Sequence, residues 1–116
     1  MVSKRIMELS LKLNEKKALE ELKLRLGKKL PGCDIVLFGS RARGEGDAYS
    51  DMDILIIVDS HVDGRLRDII NDISYPLEIE FDVVFGKVVE NRNAWNSAVS
   101  RSMPFHWNID REGIVL

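Results

Sequence analysis

The chain has 116 residues, 45% apolar and 31% charged, with a net charge of −2. That size and balance allow one domain with a modest core and exclude a disordered chain. No apolar run approaches the ~20 residues that span a bilayer, so no membrane partner is expected. The start, MVSKRIMELSLKLNEKK, lacks a secretory apolar region and a small-residue cleavage site, and Cys33 is the only cysteine. Cytoplasmic residence is the resulting expectation. Charge is unevenly placed: residues 1–30 hold 9 Lys/Arg and 4 Glu, and residues 31–116 hold 8 Lys/Arg and 15 Asp/Glu. The basic start reads as the solvated face of an amphipathic helix. A patch for an acidic partner or nucleic acid is the competing reading, and the acidic balance of the whole chain argues against nucleic acid.

In chain order, residues 1–14 read as an extension, with Ile6, Leu9 and Leu13 at helical spacing. Residues 15–116 form the domain proper. NEKKALEELKLRLGKKLPG reads as a helix with Leu19, Leu22 and Leu26 on one stripe, Asn14 as N-cap and Pro31-Gly32 as its end. Asp34 to Phe38 is a short buried strand, and a short helix is expected over Arg41 to Glu45. Asp53 to Val58 is a second strand, apolar after its first residue, as when both faces are covered. Asp63 to Ser74 carries Leu66, Ile69, Ile70 and Ile73 at helical spacing, with Pro76 closing it. Glu78 to Phe85 alternates as a strand, Asp82 falling opposite Ile79, Phe81 and Val83. Residues 90–102 suit a helix with Trp95 and Val99 inward, and the segment from Asn108 suits a turn and a short strand. The pattern gives an α/β (α+β) domain around one mixed sheet.

The chemistry concentrates in FGSRARGEGDAYSDMDI, Phe38 to Ile54. Gly39 follows a strand, so the backbone can turn and approach a ligand with no Cβ in the way. Ser40 adds a hydroxyl and an amide. Helix N–H groups near Arg41 favour anions, and Arg41 and Arg43 carry guanidinium forks suited to phosphate. Taken singly, each feature also reads as a plain turn or a solvated arginine. Asp51 and Asp53, two apart at a strand start, leave the same face and repel each other. Mg²⁺ is the natural occupant, since it bridges carboxylates to substrate phosphates. Ser50-Asp51 also fits a turn, but a turn leaves Asp53 unexplained. Asp82 is an acid inside an apolar strand. Beside the Asp53 strand, it would complete three acids around two Mg²⁺ ions ~4 Å apart, an arrangement for in-line phosphoryl displacement. Glu80 points the same way and also fits an exposed strand position.

Gly39-Ser40, followed by Ser50-Asp51-Met52-Asp53 and then Asp82, resembles the signature of the DNA polymerase beta-type nucleotidyltransferase superfamily. GSRARGEGDAYSDMDILIIV resembles its small stand-alone branch, the minimal nucleotidyltransferases (MNT), and the similarity runs from about residue 15 to the closing REGIVL. The resemblance implies a single nucleotidyltransferase domain, a mixed sheet with helices packed mainly on one side, and two Mg²⁺ ions. It also implies transfer of a nucleoside monophosphate from a triphosphate, with ATP as the expected donor. Gly39, Ser40 and Ser50 match the triphosphate-binding positions, Asp51 and Asp53 the metal ligands, and Asp82 the third, catalytic carboxylate. Arg41 and Arg43 match basic positions of the branch. Many members pair with an all-helical HEPN protein as the antitoxin of a toxin–antitoxin system, some adenylylating a tyrosine of the partner. Residues 1–13 lie outside the resemblance, and the chain stops at Leu116 where the branch often adds an aromatic. The alternative is a non-catalytic module that neutralises a partner by stoichiometric contact, and a homo-oligomer stays open.

His61 and His106 read as surface or loop residues, and Cys33 as a small buried filler. Trp95, Phe105 and Trp107 read as core or interface. Joint exposure of several of them would mark a partner surface.

Overall fold

The computed structural model describes residues 1–46 and 50–116. Residues 47–49, part of the motif run, lie outside the described residues. Five strands form one sheet: β1 (Val2–Ser3), β2 (Asp34–Phe38), β3 (Met52–Val58), β4 (Phe85–Asn91) and β5 (Ile114–Val115). Their spatial order is β1-β5-β2-β3-β4. β2 runs antiparallel to β3 and β5, whereas β1–β5 and β3–β4 are parallel, so the sheet is mixed.

Strand parity explains the two layers. On β3, Met52, Ile54, Ile56 and Val58 point to one face, and Asp53, Leu55 and Ile57 to the other. The first face is covered by the two long helices, α1 (Leu13–Lys29) and α3 (Gly64–Phe81), through Leu19, Leu22, Leu26, Leu66, Ile70 and Leu77. The second face is covered by Trp95 of α4 (Arg92–Trp95) and by Phe105 and Ile109 of α6 (Pro104–Glu112). Phe105 stands edge-on to Phe38 and to Trp95, at centroid distances of 5.4 and 5.9 Å. With both faces covered, β3 has no polar side to present after Asp53, which accounts for its unbroken apolar run. The chain is a single mixed α/β domain, with its longest helices on one face, as expected.

Several local expectations are corrected. The first segment holds no long helix; it forms β1 and one 3-10 turn, Ile6–Glu8. α1 starts two residues early, with Lys12 rather than Asn14 at its cap and the Lys12 N–H donating to Glu15 Oε1 at 2.9 Å. Asn14 instead donates from its side chain to the Phe81 carbonyl at 2.8 Å, tying α1 to the end of α3. The short helix after the glycine turn, α2, spans Gly39–Ala42. Residues 90–102 split into the end of β4, α4 and α5 (Ala98–Arg101); Trp95 is buried, but Val99 is 75% exposed. The last segment is mostly α6, followed by β5.

The largest correction concerns Glu78 to Phe85. α3 does not end at Pro76 but continues to Phe81, with Pro76 inside it and Asp63 as its N-cap, accepting from the Leu66 N–H at 2.9 Å. The buried stripe Leu66, Ile70, Ser74, Leu77 keeps helical spacing across the proline. Alternation at Ile79, Phe81 and Val83 was a coincidence of two periods, and Ile79 is 84% exposed. Burial of Leu77 against α1 outweighs the hydrogen bond that Pro76 removes. Pro76 is exposed. Pro76→Ala should therefore raise stability by about 2 kcal/mol, the ~3 kcal/mol cost of an interior proline less up to ~1 from a looser unfolded chain. Urea unfolding midpoints test this; a lowered midpoint would contradict a helix running through residue 76.

Candidate active site

The acid face of β3 ends at the edge of the α6 cover, and there the motif assembles. Phe38 pairs with Asp53 across β2–β3, so Gly39, the next residue, begins its turn beside the Asp53 side chain. Gly39 has φ +73°, a conformation that glycine adopts freely. A Cβ there would stand 2.5 Å from Asp53 Oδ2. On the other side, Asp53 pairs with Gly86 of β4. A Cβ at Gly86 would stand 2.7 Å from Asp53 Oδ1 and 3.9 Å from Asp51 Cβ. The Asp53 carboxylate thus occupies a slot between two bare backbones. Burial pushes the Asp53 carboxyl up from its ordinary range, and the Asp51 charge adds to that shift.

The loop returning to β3 closes on the same elbow. Gly46, at φ +91°, lies so close that a Cβ would be 3.0 Å from Ser40 Oγ, 3.2 Å from Ser50 Oγ and 3.3 Å from Arg41 Cδ. The two serine hydroxyls of the motif therefore border one small space. The arginines diverge. Arg41 is buried and ion-paired with the equally buried Glu15 of α1, and its Nη2 also donates to the Ser50 carbonyl at 3.4 Å. Its Nε has no hydrogen-bond partner among the described residues. Arg43 is half exposed and bridges Glu112 of α6, at 3.1 Å, and Glu45, at 3.2 Å. Sequence reading missed Glu15 as the counter-charge, because its place on the buried face of α1 depends on where α2 lands.

Asp82 belongs to a different element from the one expected. It is the C-cap of α3 with φ 54°, a left-handed conformation for a non-glycine residue. It lines a cavity of about 400 Å³ with Lys12, Asn14, Glu15, Ser50, Met52, Val83 and Val84. Ser50, the residue before Asp51, and Val84, two before Gly86, line the same cavity, and the Met52 N–H donates to the Val84 carbonyl at 2.9 Å. Gly39, Ser40, Ser50, Asp51 and Asp53 gather at the elbow, whereas Asp82, expected within a strand, caps α3 three residues before β4 begins at Phe85. Among the described residues, no group of three or more His, Cys, Asp or Glu is arranged to hold a metal. Asp51 and Asp53 alone do suit a divalent cation: they share a strand face, and a cation would relieve both the burial of Asp53 and its repulsion by Asp51.

His106, expected at the surface, is buried instead. It stacks on Trp95 at a centroid distance of 3.9 Å and lies between Ser100 Oγ, 2.9 Å from Nδ1, and Asp110 Oδ2, 3.2 Å from Nε2. Its two ring nitrogens are satisfied within the α5–α6 corner, which is a structural duty. Val99, Met103 and Trp107, in and next to α5 and α6, are exposed, Trp107 at 73%. No helix among the described residues is long and apolar enough to cross a membrane.

Comparison with known proteins agrees with this geometry. Residues 17–103 match the family described as "Nucleotidyltransferase domain". The chain is also similar to a protein named "Putative protein adenylyltransferase MJ0604", from Methanocaldococcus jannaschii. The two are 37% identical over 106 residues, which cover 90% of this chain and 99% of the relative. The match spans the glycine elbow, Asp51, Asp53 and all of β4, and on that ground the chain belongs to the nucleotidyltransferase domain family, within the DNA polymerase beta-like superfamily.

Proposed function

We propose that the chain transfers a nucleoside monophosphate, AMP from ATP, to a hydroxyl on a protein acceptor. The observation that carries this reading is the Asp51–Asp53 pair beside the Gly39 elbow, with Asp53 held between two glycine backbones. Asp51 and Asp53 would hold Mg²⁺, which supplies charge neutralisation to the triphosphate when bound. The Gly39-Ser40 backbone and the Ser40 and Ser50 hydroxyls donate to phosphate oxygens. Arg43, exposed beside the elbow, is the phosphate contact of the two arginines; Arg41 fastens the elbow to α1 through Glu15. The acceptor oxygen bonds to the α-phosphorus, the bond from that phosphorus to the β-phosphate bridge oxygen breaks, and pyrophosphate leaves. The acceptor proton passes to a carboxylate or solvent. Catalysis of this kind rests on positioning and electrostatics.

Asp82 stays in the reading as the third carboxylate by its match to the motif. It shares the parity of Val84 and of Gly86, the residue paired with Asp53. Asp82→Gly is expected to abolish transfer while stabilising the chain by about 1 kcal/mol, since glycine accepts the left-handed cap without a Cβ penalty. Retained transfer in this variant would remove Asp82 from the site.

The acceptor is proposed to be an all-helical HEPN partner, with the chain as its antitoxin. The exposed Val99, Met103 and Trp107 support a protein-binding surface, since aromatic and Met side chains are enriched at such interfaces. The same surface favours the second reading, inhibition by contact alone. The two separate in one experiment: co-purify the pair and measure the intact mass of the partner after Mg²⁺ and ATP are added. A gain of one nucleoside monophosphate, lost when EDTA is added first, is expected. Inhibition of the partner with unchanged mass would favour contact alone.

A further inference from the structure

We infer that Gly86 is a positioning residue of this site, and that β4 carries glycine there so that the Asp53 carboxylate can lie across it. The inference rests on the proposed metal-dependent reading and names a residue that the motif does not contain. Glycine inside a strand weakens it, and β4 is paired along its whole length, from Phe85 to Asn91. A strand interior therefore gains nothing locally from glycine at this point; close approach by another group is the usual reason for one. Here that group is visible. A Cβ at residue 86 would fall 2.7 Å from Asp53 Oδ1, nearer than carbon and oxygen pack.

The carboxylate has no easy way to yield. Its other oxygen already faces Gly39, at a point 2.5 Å from where a Cβ would stand there. Asp51, on the same side of β3, reaches over Gly86 as well, its Cβ 3.9 Å from the same point. Any side chain at 86 thus turns Asp53 and crowds Asp51, changing the angle between the two carboxylates that a shared cation would see. The two glycines, 47 positions apart in the chain, form one slot. Gly39 shapes it from the turn, and Gly86 shapes it from the neighbouring strand.

The test compares Gly86→Ala with Gly27→Ala, a site with nothing within 4 Å of an added Cβ. Three quantities are measured on each full-length chain. They are the NMR position of the Asp53 carboxyl carbon without metal, Mn²⁺ affinity in the presence of a non-hydrolysable ATP analogue, and melting temperature. Gly86→Ala should move the Asp53 resonance and weaken Mn²⁺ binding about 10- to 100-fold, the scale of effect from changing a group that orients a metal ligand. Its melting temperature should fall somewhat, because the added Cβ over-packs the slot. A residue with a merely structural role would lower the melting temperature and leave Mn²⁺ affinity as in the natural chain. An unmoved Asp53 resonance with wild-type Mn²⁺ affinity would overturn the inference. If the wild-type chain binds no Mn²⁺, the metal-dependent reading fails by itself, and the Asp53 resonance still decides whether Gly86 sets that side chain.

Discussion

Replacing Asp53 with asparagine should reduce nucleotidyl transfer about 100- to 1,000-fold, the range for losing one preorganised electrostatic group in an active site. The fold should survive intact. Asparagine keeps the shape of the side chain, so the slot between Gly39 and Gly86 stays filled. It also removes an anion that burial and Asp51 both disfavour. The folded-state carboxyl of Asp53 lies above its ordinary value, so its ionisation opposes folding at neutral pH, and an uncharged amide removes that opposition. Asp53→Asn should therefore unfold at the same or a higher urea concentration than the natural chain while losing its activity. That combination is diagnostic. A residue serving the fold alone loses stability on substitution, and a residue serving catalysis loses rate. Loss of both together would mean that Asp53 is chiefly a packing residue.

The second large effect is expected on the other side of the elbow. Glu15→Ala should destabilise the chain by about 3–5 kcal/mol, the usual consequence of stripping one partner from a buried ion pair. Glu15 and Arg41 are among the few buried charged side chains, and their pairing joins α1 to α2. Without Glu15, among the described residues the Arg41 guanidinium keeps a 3.4 Å bond to the Ser50 carbonyl, and its Nε has no partner there. Glu15 also accepts the Lys12 N–H at the start of α1, so the helix loses a cap in the same step. The double variant Glu15→Leu with Arg41→Met removes both charges and should recover much of the loss, since apolar replacements of a buried pair are often neutral or better. Urea unfolding of the two single variants and the double variant gives the coupling. Equal, additive losses would show that the two charges do not depend on each other.

β2, α1 and β3 were legible because each carries one unambiguous period: a short apolar run, a leucine stripe, and an apolar run too long for a one-sided strand. The segment from Pro76 to Phe85 was not, because its apolar residues satisfy periods of both 2 and 3.6. Tertiary burial of Leu77 decided for the helix, and with it the strand start moved from Glu78 to Phe85. That one shift moved Asp82 from the interior of a strand to the left-handed cap of α3. Gly86 escaped notice for the same reason. Its role exists only in the pairing of Asp53 with Gly86, and that register cannot be set before the strand is known. The motif half of the site was readable because Gly39, Ser40, Ser50, Asp51 and Asp53 lie within 15 consecutive residues. Glu15, which ties up Arg41, was hidden because the contact spans 26 positions. His106 looked like a surface residue because nothing in its local sequence announces the stacking on Trp95.

Titrating Mn²⁺ into the chain by calorimetry, with a non-hydrolysable ATP analogue present, tests the central assignment most directly. The natural chain should bind the ion, and Asp51→Asn with Asp53→Asn combined should bind none, with both proteins folded by circular dichroism. Equal binding by the two proteins would place the cation elsewhere and contradict the assignment.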